Sequence, residues 1–268
     1  MFRLNKKGDF EYYTIPSFEE TGLVRHGFTT RRGGVSEGCY KSMNLRFHCS
    51  DSRENVLENF RIAAEGLGME FERLVLSKQV HEDVIHTVTE DDAGNGVMRE
   101  NSFTSVDALI TDKRGIPIVT LFADCVPLFF LDKRRGVIAL AHSGWKGTVK
   151  RIGQKTVRKM KNDYGSRPED ILAAIGPSIR ECHFEVGDDV AEIFINEFGS
   201  ETAALYCGEN GKRYHVNMQK AIRMQLEEEG VFNIDDCGIC TYCRSDLLFS
   251  HRKTNGRRGN MGAFMELI

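Results

Sequence analysis

The stretch IPIVTLFADCVPLFFLDKRRGVIALAHSGWKGTVK, residues 116–150, decides the fold. It holds short apolar runs that are rich in β-branched residues and are bounded by Gly, Pro or charged residues. This pattern is typical of strands that are buried on both faces. The runs cover residues 116–123, 128–131 and 137–142. We therefore expect a buried sheet at the centre of the protein.

Side chains that bind metals or carry protons stand at the ends of these runs. Asp124 and Cys125 follow the first run, His142 closes the last, and His81 follows another predicted strand, LVLSKQV. Zinc favours nitrogen and sulfur ligands, and a catalytic zinc keeps three protein ligands and one open position. His81, Cys125 and His142 are therefore a candidate zinc-binding set at a predicted active site.

The same residues allow other interpretations. A buried cysteine and two internally hydrogen-bonded histidines fit the pattern equally well. A metal-free hydrolase would use Cys125 as the nucleophile and His142 as the base. Asp124 could orient a ligand, or act as a general base if burial raised its pKa. As an isolated residue at a strand end, it could equally be a turn residue.

Composition and charge narrow the class of protein. The 268 residues are 41% apolar and 28% charged, and their net charge of −3 is unlike the positive excess of nucleic-acid-binding proteins. No apolar run approaches the ~18 residues of a membrane span, and the first residues lack the apolar segment of a signal peptide. We therefore expect a cytoplasmic protein whose eight cysteines are mostly reduced.

Hydrophobic periodicity predicts a mixed α/β protein. Strands are predicted at 10–16, 23–30, 73–80, 84–89, 106–111 and 171–175, and the strand-like LLFSH lies at 247–251. Helices are predicted from the cap Asp51 to Gly66 and Gly68, at 147–162, near 188–198, and near 217–229 with Gly230 as the C′ residue. Since no repeat or linker interrupts the chain, we expect a single domain over residues 1–268.

The segment HSGWKG, residues 142–147, lies between a predicted strand and a predicted helix. Its glycines let the backbone approach a ligand, and the free N–H groups of a helix N-terminus attract anions. Lys146 adds positive charge, so we expect it to contact a substrate. The segment is not a P-loop, because G-x-x-x-x-G-K-[ST] is absent from the chain.

Three cysteines near the end of the chain, Cys237, Cys240 and Cys243, have the C-x₂-C spacing of metal and redox sites. A structural zinc needs a fourth ligand, and His251 is the only histidine nearby in the sequence. Without a neighbouring C-x₂-C pair, the spacing favours ordinary reduced cysteines over a second zinc or an iron–sulfur cluster.

An H-x-E motif at 183–185, combined with Cys240 and Cys243, superficially matches the zinc nucleobase deaminases. In those enzymes one His and two Cys hold zinc and the Glu carries the proton. The match is incomplete, because Ile239 replaces the Pro before the first Cys, and Glu185 precedes a helix instead of lying on one. The sequence therefore favours the earlier His–Cys–His set as the metal site.

Short motifs spread over nearly the whole chain carry a family resemblance. They are HGFTTRRGGVS (26–36), SMNL (42–45), QVH (79–81), LFADCVPL (121–128), AHSGWKGT (141–148), IGPSI (175–179), FEVG (184–187) and CT…FSHR (240–252). In order and spacing they resemble the YfiH-like family. That family was once labelled multicopper polyphenol oxidase or laccase, and it is now regarded as containing zinc-dependent purine nucleoside phosphorylases.

This resemblance implies helices covering mixed β-sheets, with a distant similarity to bacterial cytotoxic deamidases. It implies zinc held by His81, Cys125 and His142, although the same ligands also suit copper. The implied activity is phosphorolysis of adenosine, inosine, guanosine and 5′-methylthioadenosine, with some adenosine deamination. Asp124 is then the candidate proton carrier, and Asn44, in the long early loop, is the candidate ribose or phosphate contact.

Three alternatives to this function stay open. They are a metal-free cysteine hydrolase, a copper-dependent phenol oxidase and a non-enzymatic partner-binding protein. The sequence does not fix the preferred nucleoside, the native metal or the oligomeric state.

Overall fold

Strands and helices alternate irregularly along the chain. A computed structural model describes residues 2–208 and 211–268. The strands are β1 (Arg3–Lys7), β2 (Phe10–Thr14), β3 (Val24–Thr29), β4 (Val75–Leu76), β5 (Ile85–Thr87), β6 (Ala108–Thr111), β7 (Ile118–Phe122), β8 (Val126–Asp132), β9 (Val137–Ser143), β10 (Ile171–Ile175), β11 (Glu185–Val186), β12 (Ala203–Gly208), β13 (Gly211–Val216), β14 (Ile234–Asp236) and β15 (Met261–Leu267). The helices are α1 (Pro16–Glu19), α2 (Arg53–Leu67), α3 (Trp145–Val149), α4 (Ile152–Tyr164), α5 (Asp188–Phe198), α6 (Met218–Glu228) and α7 (His251–Thr254).

Two six-stranded sheets and one three-stranded sheet organise these elements. The first large sheet has the order β1-β2-β3-β15-β7-β4, the second has β14-β10-β8-β9-β6-β5, and the small sheet has β11-β13-β12. Most neighbouring strands are antiparallel, but β4 and β7, β5 and β6, and β10 and β14 form parallel pairs. The predicted mixed α/β fold is confirmed.

The two large sheets pack face to face, and helices cover their outer faces. Phe28 and Phe122 of the first sheet join Phe129 and Leu140 of the second in the apolar layer between them. Helix α2 packs on the outer face of the first sheet, and α4, α5 and α6 pack on that of the second. Because alternate residues of a strand point to opposite faces, His142 shares the inner face of β9 with Leu140.

The apolar runs of residues 116–150 do not form one sheet, so that prediction is wrong. Strand β7 belongs to the first large sheet, whereas β8 and β9 pair with each other in the second. The chain crosses between the sheets at residues 123–125, where Asp124 has a left-handed backbone with φ of 87°. An apolar run reports burial and not the pairing partner, so the sequence pattern cannot separate one buried sheet from two packed sheets.

The predicted helices are confirmed in place and corrected in detail. Helix α2 is capped by Ser52, whose side chain accepts a hydrogen bond from Asn55 N–H at 3.1 Å, and not by Asp51. The helix predicted at 147–162 is interrupted, because Arg151 is left-handed with φ of 61° and separates α3 from α4. Gly230 follows α6 with φ of 84°, as predicted for a C′ residue.

Two further differences concern strands. The predicted strand LLFSH is wrong, since Leu247 lies in a turn, Leu248 in a bend, and His251 begins α7. Strands β1, β11, β12, β13, β14 and β15 are not predicted by the sequence patterns. Strand β15 is buried at all seven positions and lacks the polar–apolar alternation of a half-exposed strand. It nevertheless lies between β3 and β7 in the first sheet.

Across residues 2–208 and 211–268, every helix falls short of the length and apolar character that a membrane span requires.

Phe264 tests the position of β15. Its side chain is fully buried, and its ring centroid lies 6.3 Å from that of Phe60 in α2. We expect Phe264→Ala to lower the free energy of unfolding by about 3–5 kcal/mol, because it removes a large apolar side chain from the core. The matched control is Phe232→Ala, since Phe232 is 71% exposed and should cost under about 0.5 kcal/mol. Urea unfolding measures both, and equal losses would contradict the placement of β15.

Candidate functional site

Three side chains with nitrogen or sulfur donors converge at one end of the layer between the large sheets. His81 follows β4, Cys125 immediately precedes β8, and His142 lies in β9. Their possible ligand atoms all lie within 4.8 Å of one another. Cys125 Sγ is 3.9 Å from His81 Nε2, and the two histidine ring centroids are 4.9 Å apart. The structure thus brings together the residues of the predicted metal set, which we call the His–Cys–His triad.

A carboxylate that the sequence analysis missed orients this triad. Asp107 is fully buried, and its Oδ1 is 2.8 Å from His142 Nδ1. Its carboxylate also accepts hydrogen bonds of 3.0 Å from the N–H groups of Val80, His81 and Glu82. A carboxylate on the far ring nitrogen fixes the tautomer of a metal-binding histidine. The bond therefore leaves His142 Nε2 available to a metal. The one feature of the sequence that pointed to Asp107 was its position as a charged residue directly before a predicted buried strand.

The backbone of His81 is held in an unusual conformation. Its φ is 65°, in the left-handed region that residues other than glycine and asparagine seldom adopt. Gln79 anchors the preceding chain to β7, because its side chain donates to Leu121 O at 2.7 Å and accepts from Leu121 N at 2.8 Å. Strained backbone of this kind costs roughly 1–3 kcal/mol and persists where surrounding contacts enforce it. The contacts of Gln79 and Asp107 supply that enforcement.

Gly144 packs directly against the triad. A Cβ atom at this position would lie 3.1 Å from Cys125 Sγ and 3.1 Å from His81 Cδ2. The glycine of HSGWKG therefore makes room for the triad itself. Lys146 is exposed, with its Nζ 5.6 Å from the centroid of the Trp145 ring, and it does not line the cavity described below. Its contact with a substrate stays a prediction.

The electrostatics of the triad favour a thiolate. Burial alone would raise the pKa of Cys125, but the charges and hydrogen bonds of His142 and His81 lower it to about 6. For His142, burial acts to lower the pKa, and Cys125 and Asp107 outweigh it and raise the pKa to about 9. Thiolate sulfur and imidazole nitrogen are the ligand types that zinc prefers. Three such ligands leave a fourth position for a small molecule.

A cavity of about 680 Å³ opens above the triad. This volume lies within the range of small-molecule sites, about 300–1,000 Å³. Cys125, His142 and His81 contribute to its lining. Its apolar lining comes from Phe47, Leu76, Leu121, Ala123, Ile179 and Phe184. The site therefore combines an apolar wall with a group of metal-binding side chains, which is suited to an aromatic ligand that also has a polar part.

Two arginines, Arg46 and Arg258, and the imidazole of His251 form a second functional group in this cavity, here called the cationic cluster after its arginines. None of them forms an ion pair with a carboxylate of the described residues. Burial and then the charge of Arg46 lower the pKa of Arg258, and burial and then Arg258 lower the pKa of His251. Arg258 Nε is buried and has no hydrogen-bond partner. The cluster is therefore electropositive and suited to an anion.

Asp124 lines the same cavity, and its carboxylate links three segments of chain. Oδ1 accepts a hydrogen bond of 2.6 Å from Thr241 Oγ1, and Oδ2 accepts one of 2.7 Å from Arg252 N–H. Its own backbone carbonyl accepts from Ile179 N–H at 2.8 Å. The residue is 8% exposed. Asp124 thus fixes the crossing between the sheets next to Cys125, and its part in proton transfer stays a prediction.

Asn44 lies behind the cavity wall and does not line the cavity. Its buried amide donates to Asp51 Oδ2 at 2.8 Å and accepts from the N–H groups of Arg46 at 2.9 Å and Asn260 at 3.1 Å. Both of those residues line the cavity. The contacts explain how Asn44 positions the long early loop, whereas a direct contact with ribose or phosphate stays a prediction.

The cysteines near the end of the chain separate into two environments. Cys237 is buried alone, and burial raises its pKa to about 12. Cys240 and Cys243 instead meet Cys182 and His183 at the surface. His251, the only histidine nearby in the sequence, lines the cavity instead. His183, Cys240 and Cys243 are the three residues of the deaminase-like match, and Cys182 joins them from 61 residues before Cys243.

Fold and site together define a mixed α/β protein with a small-molecule cavity over a histidine–cysteine metal-binding triad. A family model described as multi-copper polyphenol oxidoreductase laccase matches residues 25–268. The chain belongs to this family.

Its relatives carry a different functional name. The purine nucleoside phosphorylase YlmD of Geobacillus stearothermophilus is 37% identical over 242 residues, which are 89% of this chain and 88% of the relative. A purine nucleoside phosphorylase of Bacteroides thetaiotaomicron is 36% identical, over 93% of each chain. The crystal structure of hypothetical protein YfiH of Bacillus licheniformis has a TM-score of 0.91 and 33% identity, and covers 100% of this chain and 99% of that one. The YfiH-like resemblance is confirmed.

Asp107 offers a test of how the triad is oriented. We expect Asp107→Asn to weaken zinc binding about 10–100-fold. The neutral amide of Asn has one acceptor oxygen in place of the two of the carboxylate, so it holds the His142 ring and the three backbone N–H groups less strongly than Asp107 does. Competition against a chromophoric chelator measures the affinity. Asp112→Asn is the matched control. Asp107 directly precedes β6 and Asp112 directly follows it, but the side chain of Asp112 is 43% exposed. Equal zinc affinity in both variants would contradict the assigned role of Asp107.

Proposed function

We propose that this protein is a zinc-dependent purine nucleoside phosphorylase. The observation that carries the proposal is the cavity of about 680 Å³ in which the His–Cys–His triad and the cationic cluster lie within one enclosure. Phosphorolysis must place a phosphate anion and a nucleoside side by side, and this cavity offers an anion-binding end and an apolar wall. The names of the relatives support the same activity.

The donor set fits zinc. Two imidazoles and one thiolate match a catalytic zinc with three protein ligands, and the Asp107–His142 bond supplies the usual outer carboxylate. Bound there, zinc would supply a Lewis acid beside the substrate. The same donors also suit copper, in keeping with the name of the family model. We favour zinc because the cavity holds an anion-binding cluster, which phosphorolysis needs and phenol oxidation does not.

The cationic cluster is the proposed phosphate site. Arg258 and Arg46 lack carboxylate partners among the described residues, so their charges are free to neutralise a dianion. Arg46 and Arg258 line the same cavity as the three residues of the triad. Arginine is well suited to this role because its planar donors match phosphate oxygens in pairs.

The chemistry requires positioning more than proton transfer. A phosphate oxygen forms a bond to C1′ of the ribose, the bond between C1′ and the purine nitrogen breaks, and the purine leaves with the electron pair and takes up a proton. Phe47, Leu121 and Phe184 offer apolar surface to the purine and exclude water from it. Holding the two reactants in one enclosure lowers the entropic part of the barrier.

We propose adenosine, inosine, guanosine and 5′-methylthioadenosine as the substrate range, with adenosine deamination as a side activity. Asp124 is the proposed proton carrier for deamination, because it is the carboxylate adjacent to Cys125 that lines the cavity. Hydrogen bonds from Thr241 and Arg252 hold its carboxylate in place at the cavity wall. The cytoplasm is the proposed location.

A second candidate is a metal-free cysteine hydrolase. The observation in its favour is the order Cys125, His142 and Asp107, in which a thiol, an imidazole and an orienting carboxylate follow one another as in known nucleophile–base pairs. His81 counts against it, because a second imidazole at the thiol serves metal binding and has no task in that mechanism.

Turnover by the purified protein tests the main proposal. With inosine as substrate, we expect release of hypoxanthine only when inorganic phosphate is supplied, and loss of the activity on chelation or in Cys125→Ala. The products are measured by chromatography, with Cys39→Ala as control because Cys39 is exposed on the early loop outside the cavity. Release without phosphate would indicate a hydrolase, and turnover that survives chelation would favour the cysteine mechanism.

The phosphate site has its own test. We expect Arg258→Gln to raise the KM for phosphate at least about tenfold, because removal of one charged hydrogen-bond donor costs about 1.5–3 kcal/mol. The KM for inosine should change much less. The neighbouring Arg257→Gln is the matched control, since Arg257 is exposed and outside the cavity lining. A larger effect on inosine than on phosphate would assign Arg258 to nucleoside binding instead.

A further inference from the structure

A second group of metal-binding side chains lies on the surface, outside the lining of the large cavity. It consists of Cys182, His183, Cys240 and Cys243, here called the Cys₃His cluster. The first pair of residues precedes β11, and the second pair lies in the loop after β14. All four possible ligand atoms lie within 4.8 Å of one another. We propose that the Cys₃His cluster binds a structural zinc ion.

The distances within the cluster agree with one tetrahedral ion. Zinc–sulfur bonds of ~2.3 Å and zinc–nitrogen bonds of ~2.0 Å place two sulfur ligands about 3.8 Å apart, and sulfur and nitrogen about 3.5 Å apart. Cys182 Sγ and Cys243 Sγ are 3.8 Å apart. His183 Nδ1 lies 3.2 Å from Cys182 Sγ, 3.4 Å from Cys243 Sγ and 4.0 Å from Cys240 Sγ. Three of these four distances lie within about 0.3 Å of the tetrahedral values, and Cys240 Sγ must approach His183 Nδ1 by about 0.5 Å to bind the same ion.

The local backbone and ring contacts hold these donors in place. The backbone N–H of His183 donates to Arg180 O at 2.9 Å, and that of Thr241 donates to Ser178 O at 3.0 Å. These bonds hold the two chain segments of the cluster. The His183 ring stacks on Tyr242 with a centroid distance of 4.0 Å and an interplanar angle of 17°. This stacking fixes the ring with Nδ1 directed at the sulfur atoms.

The number of ligands assigns a structural role to the site. Four protein ligands complete the tetrahedron of a structural zinc, whereas a catalytic zinc keeps one position for water. Cys182 supplies the fourth ligand, which the deaminase motif of one His and two Cys lacks. Glu185, the proton carrier in that motif, belongs to β11, and its Oε1 is 3.7 Å from Arg213 Nε. The Cys₃His cluster is therefore not a second deaminase centre.

An ion at this place would stabilise the wall of the cavity. Thr241, between two of the ligands, donates the hydrogen bond of 2.6 Å to Asp124. Arg252 Nη1 donates to the carbonyl oxygen atoms of His183 at 3.3 Å and of Glu185 at 2.9 Å. Phe184, which lies between His183 and Glu185 in the sequence, lines the cavity. The zinc would thus join two chain segments, 182–185 and 240–243, that both support the crossing at Asp124.

Metal stoichiometry tests this proposal without any substrate: the loss of one ion in Cys243→Ser is the test, and only the total of two rests on the proposed function. Protein purified under reducing conditions is loaded with zinc, freed of excess ion and measured by mass spectrometry. We expect two zinc ions per chain in the parent protein, one in Cys243→Ser and one in Cys125→Ser. Cys39→Ser is the matched control and should retain two, because Cys39 belongs to neither group. The Cys243→Ser protein should also lose thermal stability.

A second measurement covers the case in which Cys243→Ser fails to fold. Cobalt bound to the Cys125→Ser protein should give the strong thiolate-to-cobalt absorption of a tetrahedral site with several sulfur ligands, since only the Cys₃His cluster is then intact. Absence of that absorption would overturn the proposal. So would a parent protein whose zinc content is unchanged in Cys243→Ser, or one in which peptide mapping finds Cys182 and Cys243 joined as a disulfide.

Discussion

The buried carboxylate of Asp107 is the interaction on which the site depends. A buried charge is costly unless donors satisfy it, and here four do so: His142 Nδ1 and the backbone N–H groups of Val80, His81 and Glu82. Burial alone would raise the pKa of Asp107, but these bonds, the one from His142 first, hold it below its usual range. The donors include the ring of His142 and the backbone N–H of His81, so one side chain helps to position both histidines of the triad. The left-handed backbone of His81 is a conformational cost of this arrangement.

Part of this site is visible in the sequence for a physical reason. Cys125 and His142 stand at the ends of apolar runs, and burial of such runs places reactive groups inside the protein, where they need partners. Asp107 carries no comparable signal, because an aspartate before a strand is also an ordinary turn residue. The low weight given to His183, Cys240 and Cys243 as a metal set has the same origin: spacing along the chain reports neighbours within a few residues, whereas this group, with Cys182, joins segments that the fold brings together.

The location of the site follows from the crossing between the sheets. Residues 118–122 pair in the first large sheet and residues 126–132 in the second, so the chain must turn at 123–125. This turn displays Asp124 and Cys125 at the end of the inner layer, opposite His142, whose side chain faces the same layer from β9. The sequence analysis predicted both flanking strands and placed them in one sheet, because hydrophobic periodicity measures burial and contains no information on pairing. The triad therefore assembles only when the two sheets dock, which couples formation of the site to formation of the core.

The two groups of metal-binding side chains differ in the number of ligands that they offer, and this number distinguishes a catalytic from a structural metal site. The His–Cys–His triad offers three donors at the floor of a cavity, so that a bound ion keeps a position facing the substrate space. The Cys₃His cluster offers four donors at the surface, which leaves no such position. Between them lies a short series of contacts: the loop of Cys240 and Cys243 carries Thr241, Thr241 donates to Asp124, and Asp124 is adjacent to Cys125. Asp124 also receives the N–H of Arg252, so loosening the surface loop would remove one of the two side-chain hydrogen bonds that the described residues give this carboxylate. The surface cluster is thus connected to the triad by one hydrogen bond and the chain between Asp124 and Cys125, and it shares no donor atom with the triad.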